Sequence, residues 1–370
     1  MTNKILFVVN VDWFFISHRL PLALEALKKG YEVHITCGIT DKKEYLESLG
    51  VKIHPLNISR SGTGIKSEIQ SLSEIYKILK QINPDIAHFI TIKPVLYGGM
   101  VLRFLHINKK VFSISGLGFI FIKQGLKAFL VRNIIKTMYR FALGGGNSHV
   151  IVQNPDDQAV VNSINNINTT LIRGSGVDLS QYEYIKEKNE VIKVSMACRL
   201  LKDKGVFEYI EASKILKQKF ANIKFELYGD IDVHNPASLR NEDIEKIKKD
   251  GFVKIYGFSN DISKVFSNSN IIVLPSYREG LPKVLIEAAA CGRPVVTTDV
   301  PGCRDAIKVN ITGLLCKVKD VNSLAEEIEK LILDENLRSK MGKAGRKLAE
   351  KEFDINKVVE KHFEIYEGRV

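Results

Sequence analysis

Leu274-Pro-Ser-Tyr-Arg-Glu279-Gly280-Leu281-Pro282-Lys-Val-Leu-Ile-Glu287-Ala288 reads as the end of an apolar strand, a short loop and the opening of a helix. The loop turns at Gly280, and the helix is expected from about Leu281–Pro282. Proline is well tolerated at a first helical position, where its missing N–H has no partner to lose. The free amides of that first turn, with the positive end of the helix dipole, suit a diphosphate. Glu279, just ahead of the helix, is placed to reach a sugar next to that phosphate. Glu287, about two turns in, is placed to accept hydrogen bonds from the two hydroxyls of a ribose. Read alone, two glutamates eight residues apart are equally an ordinary solvated pair.

Upstream, Ser195-Met-Ala-Cys-Arg199-Leu-Leu-Lys-Asp-Lys204-Gly205 sets an Arg and a Lys just past another strand. Arg offers a planar fork for phosphate oxygens and Lys a point charge, so the two can pair with a leaving diphosphate. Around both segments, short apolar strands alternate with helical stretches. Strands are expected at 5–9, 32–36, 86–90, 110–115, 149–152 and 169–172, with helices near 17–29 and 67–82. After a linker rich in Lys, Glu and Tyr at about 179–190, the pattern restarts at 191–197, 224–228, 254–256, 270–274 and 294–297. Pro301-Gly-Cys-Arg-Asp305 and Thr312-Gly-Leu-Leu315 read as loops, and a polar helix begins near Asp320. Such alternation makes parallel sheets covered on both faces. At 370 residues the chain fits two domains better than one. The expected fold class is α/β: two Rossmann-like doubly wound domains facing a shared cleft, with ligands at the carboxyl ends of the strands.

Apolar residues make up 45% and charged residues 26%, the proportions of a globular protein. No run of about 18 uncharged apolar residues occurs, so no membrane span is expected, and the start reads as a strand rather than a signal peptide. Five cysteines (37, 198, 291, 303, 316) with no Cys-x-x-Cys pair argue against a disulfide framework and structural zinc, and for a reducing cytoplasm. The net charge of +12 is uneven, with +8 in residues 1–183 and +4 in the remainder. Between Asp85 and Asp156 there is no acidic residue, against nine Lys/Arg and nine Phe/Tyr. Losing one sign over so long a stretch implies a face that meets something anionic. Within it, 127–143 reads as a helix bearing Lys127, Arg132, Lys136 and Arg140, with Val131, Ile135, Met138 and Ala142 along an apolar side. A basic amphipathic helix of this kind suits the headgroup layer of an anionic bilayer. A core-packed helix with a solvated basic face is the plain alternative.

Together these segments resemble the family 4 glycosyltransferases, retaining enzymes of the GT-B fold. The resemblance is carried, in order, by Gly174-Ser-Gly-Val-Asp178, the Arg199/Lys204 segment, Phe225-Glu-Leu-Tyr-Gly-Asp230, the Glu279 and Glu287 motif, and Ala290-Cys-Gly-Arg-Pro-Val. Asp12-Trp-Phe-Phe-Ile-Ser-His18-Arg19-Leu-Pro21, Ile114-Ser-Gly-Leu-Gly118-Phe and Pro236-Ala-Ser238 resemble a branch acting on bacterial polysaccharide and lipid-linked oligosaccharide precursors, often with UDP-activated N-acetylhexosamines. The resemblance implies transfer of a sugar, such as GalNAc or GlcNAc, from UDP to a polyprenyl-diphosphate-linked glycan in O-antigen-type polysaccharide biosynthesis. It implies an enzyme peripheral on the cytoplasmic face of the plasma membrane. It also implies an acceptor-binding domain over 1–183, with a helix at 353–370 packing back on it, and a nucleotide-sugar domain over 184–352.

By the same resemblance Arg199 and Lys204 would hold the diphosphate, and Glu279 would contact the donor sugar. The backbone of Gly280, Leu281 and Pro282 would help with its hydroxyls and phosphate. Glu287 would bind the ribose, and Tyr256 and Phe258 would flank the uracil. With no second carboxylate evident as a nucleophile, attack on the face of departure would give retention. The chain departs from the family in a bulky first loop, Asp12–Arg19, where paired glycines are usual. His18 and Arg19 read as acceptor-side groups, His18 equally as a buried structural residue. The family's mid-domain His is missing from 113–118, which leaves the Gly116 and Gly118 backbone as its substitute.

Asp230-Ile-Asp232 has the spacing of a metal-binding Asp-x-Asp, but it follows a strand and a Gly, where Asp caps loops, and the two cations already do a metal's task. No metal and no cofactor are expected beyond the UDP-sugar substrate. Gly116-Leu-Gly118 and Gly144-Gly-Gly146 lack the dinucleotide register, and His34, His88, His106 and His149 lack ligand spacing. A UDP-sugar epimerase or a phosphorylase of the same fold is the alternative enzyme. A basic nucleic-acid-binding module is the alternative from another class; the charge permits it, but no nucleic-acid motif accompanies it.

Overall fold

The computed structural model describes residues 3–58, 64–117, 126–144, 146–164, 167–187, 191–233 and 235–370. The chain divides into two units, Met1–Ser175 with Asn356–Val370, and Gly176–Ile355.

In the first unit β1 (Lys4–Val11) leads straight into α1 (Asp12–Lys28). There follow β2 (Glu32–Gly38), α2 (Lys43–Ser48), β3 (Lys52–Pro55), α3 (Ile65–Ile82), β4 (Ile86–Ile90) and α4 (Ile92–Val101). Then come β5 (Lys109–Ile114), α5 (Leu126–Leu143), β6 (Ser148–Val152), α6 (Pro155–Ile164) and β7 (Asn168–Leu171). Among the described residues these strands form one parallel sheet in the order β3-β2-β1-β4-β5-β6-β7, so the order reverses between β1 and β4. Side chains alternate across it. Leu6, Val8, Phe89 and Phe112 share one core, and Ile5, Phe7, Val9 and Val111 share the other with Phe15 and Leu22 of α1. A strand covered on both faces reads as a continuous apolar run, which is why Ile5–Val9 is buried throughout.

The second unit holds β8 (Ile192–Ala197), α7 (Val206–Lys219), β9 (Ile223–Tyr228), α8 (Asn241–Asp250), β10 (Val253–Gly257) and α9 (Ile262–Ser267). These lead to β11 (Ile271–Leu274), α10 (Lys283–Ala290), β12 (Val295–Thr298), β13 (Gly313–Cys316), α11 (Val321–Leu333) and α12 (Glu335–Leu348). Among the described residues its sheet is parallel in the order β10-β9-β8-β11-β12-β13. The last helix, α13 (Ile355–Glu367), puts Val358, Phe363, Ile365 and Tyr366 into the α1-side core of the first unit. The units change at 175/176 and 355/356, beside 183/184 and 352/353 as read from the sequence.

Two expectations are corrected. Residues 313–316 form a strand instead of part of a loop: four residues are too few to show a period, but Val295 through Thr298 pair with them in register. Asp12–Arg19 is also no loop. α1 starts at Asp12, whose carboxylate accepts from the Trp13 amide and from the Thr40 amide and hydroxyl, each at 2.7 Å. An acidic group on the first free amides of a helix starts it early.

Candidate functional site

Three strand exits of the second unit converge. At the end of β9, Gly229 has φ +134°, and a Cβ there would stand 1.8 Å from the Cys198 carbonyl oxygen. Only glycine lets the two chains run this close. They continue side by side, Leu200 donating to the Asp230 carbonyl at 3.0 Å. Arg199 Nη1 then lies 3.0 Å from Asp232 Oδ2, with the Arg side chain 44% exposed. The Asp-x-Asp spacing thus serves an ion pair, and among the described residues no group of three or more His, Cys, Asp or Glu could hold a metal ion.

Beyond Arg199, a single turn over Lys202–Lys204 ends at Gly205 in the left-handed region, φ +76°. A Cβ on Gly205 would meet the Pro275 carbonyl oxygen at 2.3 Å, so this turn is pressed onto the exit of β11. There Lys204 Nζ bonds Glu279 Oε1, and Ser276 Oγ donates to the same oxygen at 2.7 Å. The Tyr277 amide donates to the Asp203 carbonyl at 2.9 Å, tying the two loops together. Burial alone would lower the pKa of Lys204, but the charge and hydrogen bond of Glu279 outweigh it and hold the ammonium above its ordinary value, against an opposing push from Arg199. Arg199, Lys204 and Glu279 therefore share one electrostatic neighbourhood. Ser276 was not anticipated; a hydroxyl three residues before the glutamate carried no signal of its own.

Glu287 sits on the same helix that Glu279 precedes. It is buried, and its Oε1 accepts from the Tyr182 hydroxyl at 2.7 Å with Lys283 Nζ at 3.3 Å. Its Oε2 has no hydrogen-bond partner among the described residues. Burial first, then the Glu287 charge, push the Tyr182 hydroxyl well above the usual tyrosine range. Tyr182 lies in the stretch read as a linker, where one aromatic among Lys and Glu was the available signal. α10 begins at Lys283, with Pro282 as its N-cap rather than its first residue. Extended ψ (+123°) at Pro282 and a Leu285 amide bonded to the Pro282 carbonyl at 3.1 Å set that boundary. Leu281 and Pro282 are buried, and Gly280 precedes them in the loop.

Tyr256 stacks on Tyr228 with ring centroids 4.8 Å apart, and both hydroxyls donate to the Glu226 carboxylate. Lys254 Nζ lies 4.6 Å from the Tyr256 centroid. Tyr256 is held by these neighbours while 44% exposed, and Phe258 is 70% exposed.

The remaining sequence candidates belong to the first unit. Arg19 is the buried member of its pair, 2% exposed, and donates to the His18 carbonyl at 2.8 Å; burial lowers its pKa to about 10. It therefore presents no surface to an acceptor. His18 is partly exposed and stacks on Phe14 at 4.3 Å. Gly116 has φ +103°, and Gly118 lies outside the described residues, as does the side chain of Lys127. On α5 the inward face is Ile135, Met138, Tyr139, Ala142 and Leu143. Val131 is exposed instead of inward, with Ile134 (60% exposed) and Phe141, beside Arg132, Lys136 and Arg140. Among the described residues no helix is long and apolar enough to cross a membrane.

Two parallel doubly wound units, the second gathering cations and a carboxylate at its central strand exits, define the GT-B class of glycosyltransferases. Solved structures share this fold: sucrose-phosphate synthase from Thermosynechococcus elongatus has a TM-score of 0.81 at 19% identity, covering 99% of this chain and 98% of that one. Anabaena HepE in complex with UDP and glucose has a TM-score of 0.77 at 18% identity, covering 99% and 100%.

The chain belongs to the family 4 glycosyltransferases: residues 4–154 match the glycosyl transferase 4-like family and residues 181–348 the glycosyl transferases group 1 family. It is 29% identical to the N,N'-diacetylbacillosaminyl-diphospho-undecaprenol alpha-1,3-N-acetylgalactosaminyltransferase of Campylobacter jejuni, over 95% of this chain and 97% of that protein. It is 28% identical to the capsular polysaccharide biosynthesis glycosyltransferase CapM of Staphylococcus aureus, over 91% of each.

Proposed function

We propose that this glycosyltransferase moves an N-acetylhexosamine, such as GalNAc or GlcNAc, from UDP to a polyprenyl-diphosphate-linked glycan, with retention at the anomeric carbon. The observation that carries the reading is the convergence of Arg199, Lys204, Ser276 and Glu279 at neighbouring strand exits. Arg199 uses one N–H on Asp232 and keeps further donors on a half-exposed side chain; Lys204 uses one of three on Glu279. The diphosphate gains charge as the glycosidic bond breaks, so cations already held in place stabilise that state more than the ground state. Glu279, anchored by Lys204 and Ser276, contacts the donor sugar, and Glu287 offers Oε2 to the ribose. Tyr256 and Phe258 flank the uracil, and attack from the face of departure gives retention. No metal is required, because the two cations neutralise the leaving group.

The Campylobacter and Staphylococcus relatives, by name, act in diphospho-undecaprenol and capsular polysaccharide chemistry, which supports a lipid-linked acceptor. The exposed apolar and basic side of α5 suits the anionic inner face of the plasma membrane. Midpoints of thermal unfolding against a panel of UDP-sugars identify the donor, since a ligand of the native state raises the midpoint according to its affinity. Lys204→Ala and Glu279→Ala are each expected to cut turnover at least 100-fold while the protein stays folded. Full activity in both sinks the assignment.

A further inference from the structure

The carboxyl ends of three adjacent strands in the first unit carry uncharged polar side chains that the fold leaves unused. Asn10 Oδ1 on β1, Thr91 Oγ1 after β4 and Ser115 Oγ after β5 are buried atoms with no hydrogen-bond partner among the described residues. They stand at the same end of one sheet, in which β4 pairs with both β1 and β5: Val8 lies opposite Phe89, and Ile90 lies opposite Ser113, whose carbonyl accepts the Thr91 amide at 3.2 Å. β1 and β4 flank the point where strand order reverses, the place where doubly wound sheets bind ligands.

Thr91 adds an independent observation. Its backbone has φ +76° and ψ +167°, a region that glycine occupies freely and a β-branched residue does not. It is the N-cap of α4, where a threonine hydroxyl ordinarily accepts an amide of the first turn, yet it makes no such bond. Glycine would relax the backbone, and among the described residues nothing uses the hydroxyl. Buried polar atoms are seldom left unpaired, and a bound ligand would supply the missing partner of this row.

The row holds an amide and two hydroxyls and no charge, which is the chemistry that reads sugar hydroxyl and acetamido groups rather than phosphate. Trp13 and Phe14, partly exposed, follow Asn10 at the start of α1 and offer rings to the C–H faces of a pyranose. We infer that Asn10, Thr91 and Ser115 are specificity-determining residues that read the hydroxyl and acetamido groups of a bound saccharide. The inference rests on the reading that saccharides are substrates, and its test needs no turnover.

Calorimetry separates the sources of the saccharide. UDP-N-acetylglucosamine and UDP-N-acetylgalactosamine, each against UDP, form the donor arm. A short-chain polyprenyl-diphosphate N-acetylhexosamine forms the acceptor arm. Thr91→Gly is expected to keep or raise the unfolding midpoint and to weaken one arm at least tenfold, with Thr91→Ser restoring most of it and Asn10→Ala weakening the same arm. UDP itself is expected to bind Thr91→Gly as it binds the wild type, whereas Lys204→Ala weakens UDP; loss of that second effect speaks against the diphosphate site and not against this row. Thr91→Gly holding both arms within twofold, a lowered midpoint with unchanged binding, or a wild type that gains nothing from either sugar would overturn the inference.

Discussion

Glu279→Gln removes the charge that keeps Lys204 protonated while preserving the shape of the loop. Both side chains are mostly buried, at 17% and 13% exposed, so water screens the pair only modestly. Breaking a buried ion pair by removing one partner costs about 3–5 kcal/mol. The loss has a ceiling, because the stranded lysine can shed its proton. At pH 7 that escape costs at most about 4.6 kcal/mol, from about 1.36 kcal/mol per unit below an unfolded pKa of about 10.4. For a unit of this size each kcal/mol lowers the midpoint by roughly 2–4 °C, so the expected fall is roughly 6–18 °C.

The pH dependence carries the sharper test. In the wild type the folded pKa of Lys204 is raised, so its contribution is whole below the unfolded pKa and is lost as pH rises through the folded one. In the variant burial and the Arg199 charge outweigh the smaller pull of Asp203, and the folded pKa falls below the unfolded one. The unfolded chain then binds more protons, and stability rises with pH up to the unfolded value. The stability gap between the two proteins therefore narrows as pH rises towards the unfolded value of about 10.4, by up to about 1.4 kcal/mol per unit. Other titrating groups are common to both proteins and cancel in the difference. Urea unfolding followed by circular dichroism at half-unit steps measures it. A gap that stays constant across that range would refute the pairing argument.

Gly205→Ala is expected to lose about 1–3 kcal/mol and to weaken UDP binding, since the left-handed turn and the approach to Pro275 both exclude a Cβ; unfolding and calorimetry check it. Tyr182→Phe leaves the buried Glu287 one donor short, and a loss of about 1–3 kcal/mol with lower UDP affinity is expected in the same two measurements. Burial, with the Arg19 charge second, pushes His362 down to about 3. The folded form thus binds fewer protons, and this contribution is lost as pH falls from about 6.5 towards 3, by up to about 1.4 kcal/mol per unit. His362→Leu should flatten the acid limb of an unfolding curve. Changing Arg132, Lys136 and Arg140 to Glu is expected to abolish sedimentation with anionic liposomes, and unchanged sedimentation removes the membrane reading of α5.

Elements with long runs or alternation were legible. The strands at 5–9, 86–90 and 271–274, buried on both faces, announced themselves by composition. The places of Glu279 ahead of α10 and of Glu287 within it were legible, because a strand, a turn and a helix follow one another there. What stayed hidden depended on contacts distant in sequence. Tyr182 reaches Glu287 from 105 residues away, and the role of Asp232 appears only because Gly229 lets β8 and β9 exits touch. Arg19, read as an acceptor-side group beside His18, is buried because helical phase, once α1 starts at Asp12, turns it towards α13. The inward and outward sides of α5 shifted for a related cause: two apolar stripes occur on it, and only packing decides which is covered.

Val177 pairs with Asp354 in a parallel bridge, its amide donating to the Phe353 carbonyl at 2.8 Å and its carbonyl accepting from the Ile355 amide at 3.0 Å. The second unit is therefore an insertion whose two ends are stapled together, so it can be cut out as one continuous piece with its own termini already adjacent. The first unit has the opposite property. It is finished only by α13, made after the whole of the second unit, so losing that helix would harm the half made first.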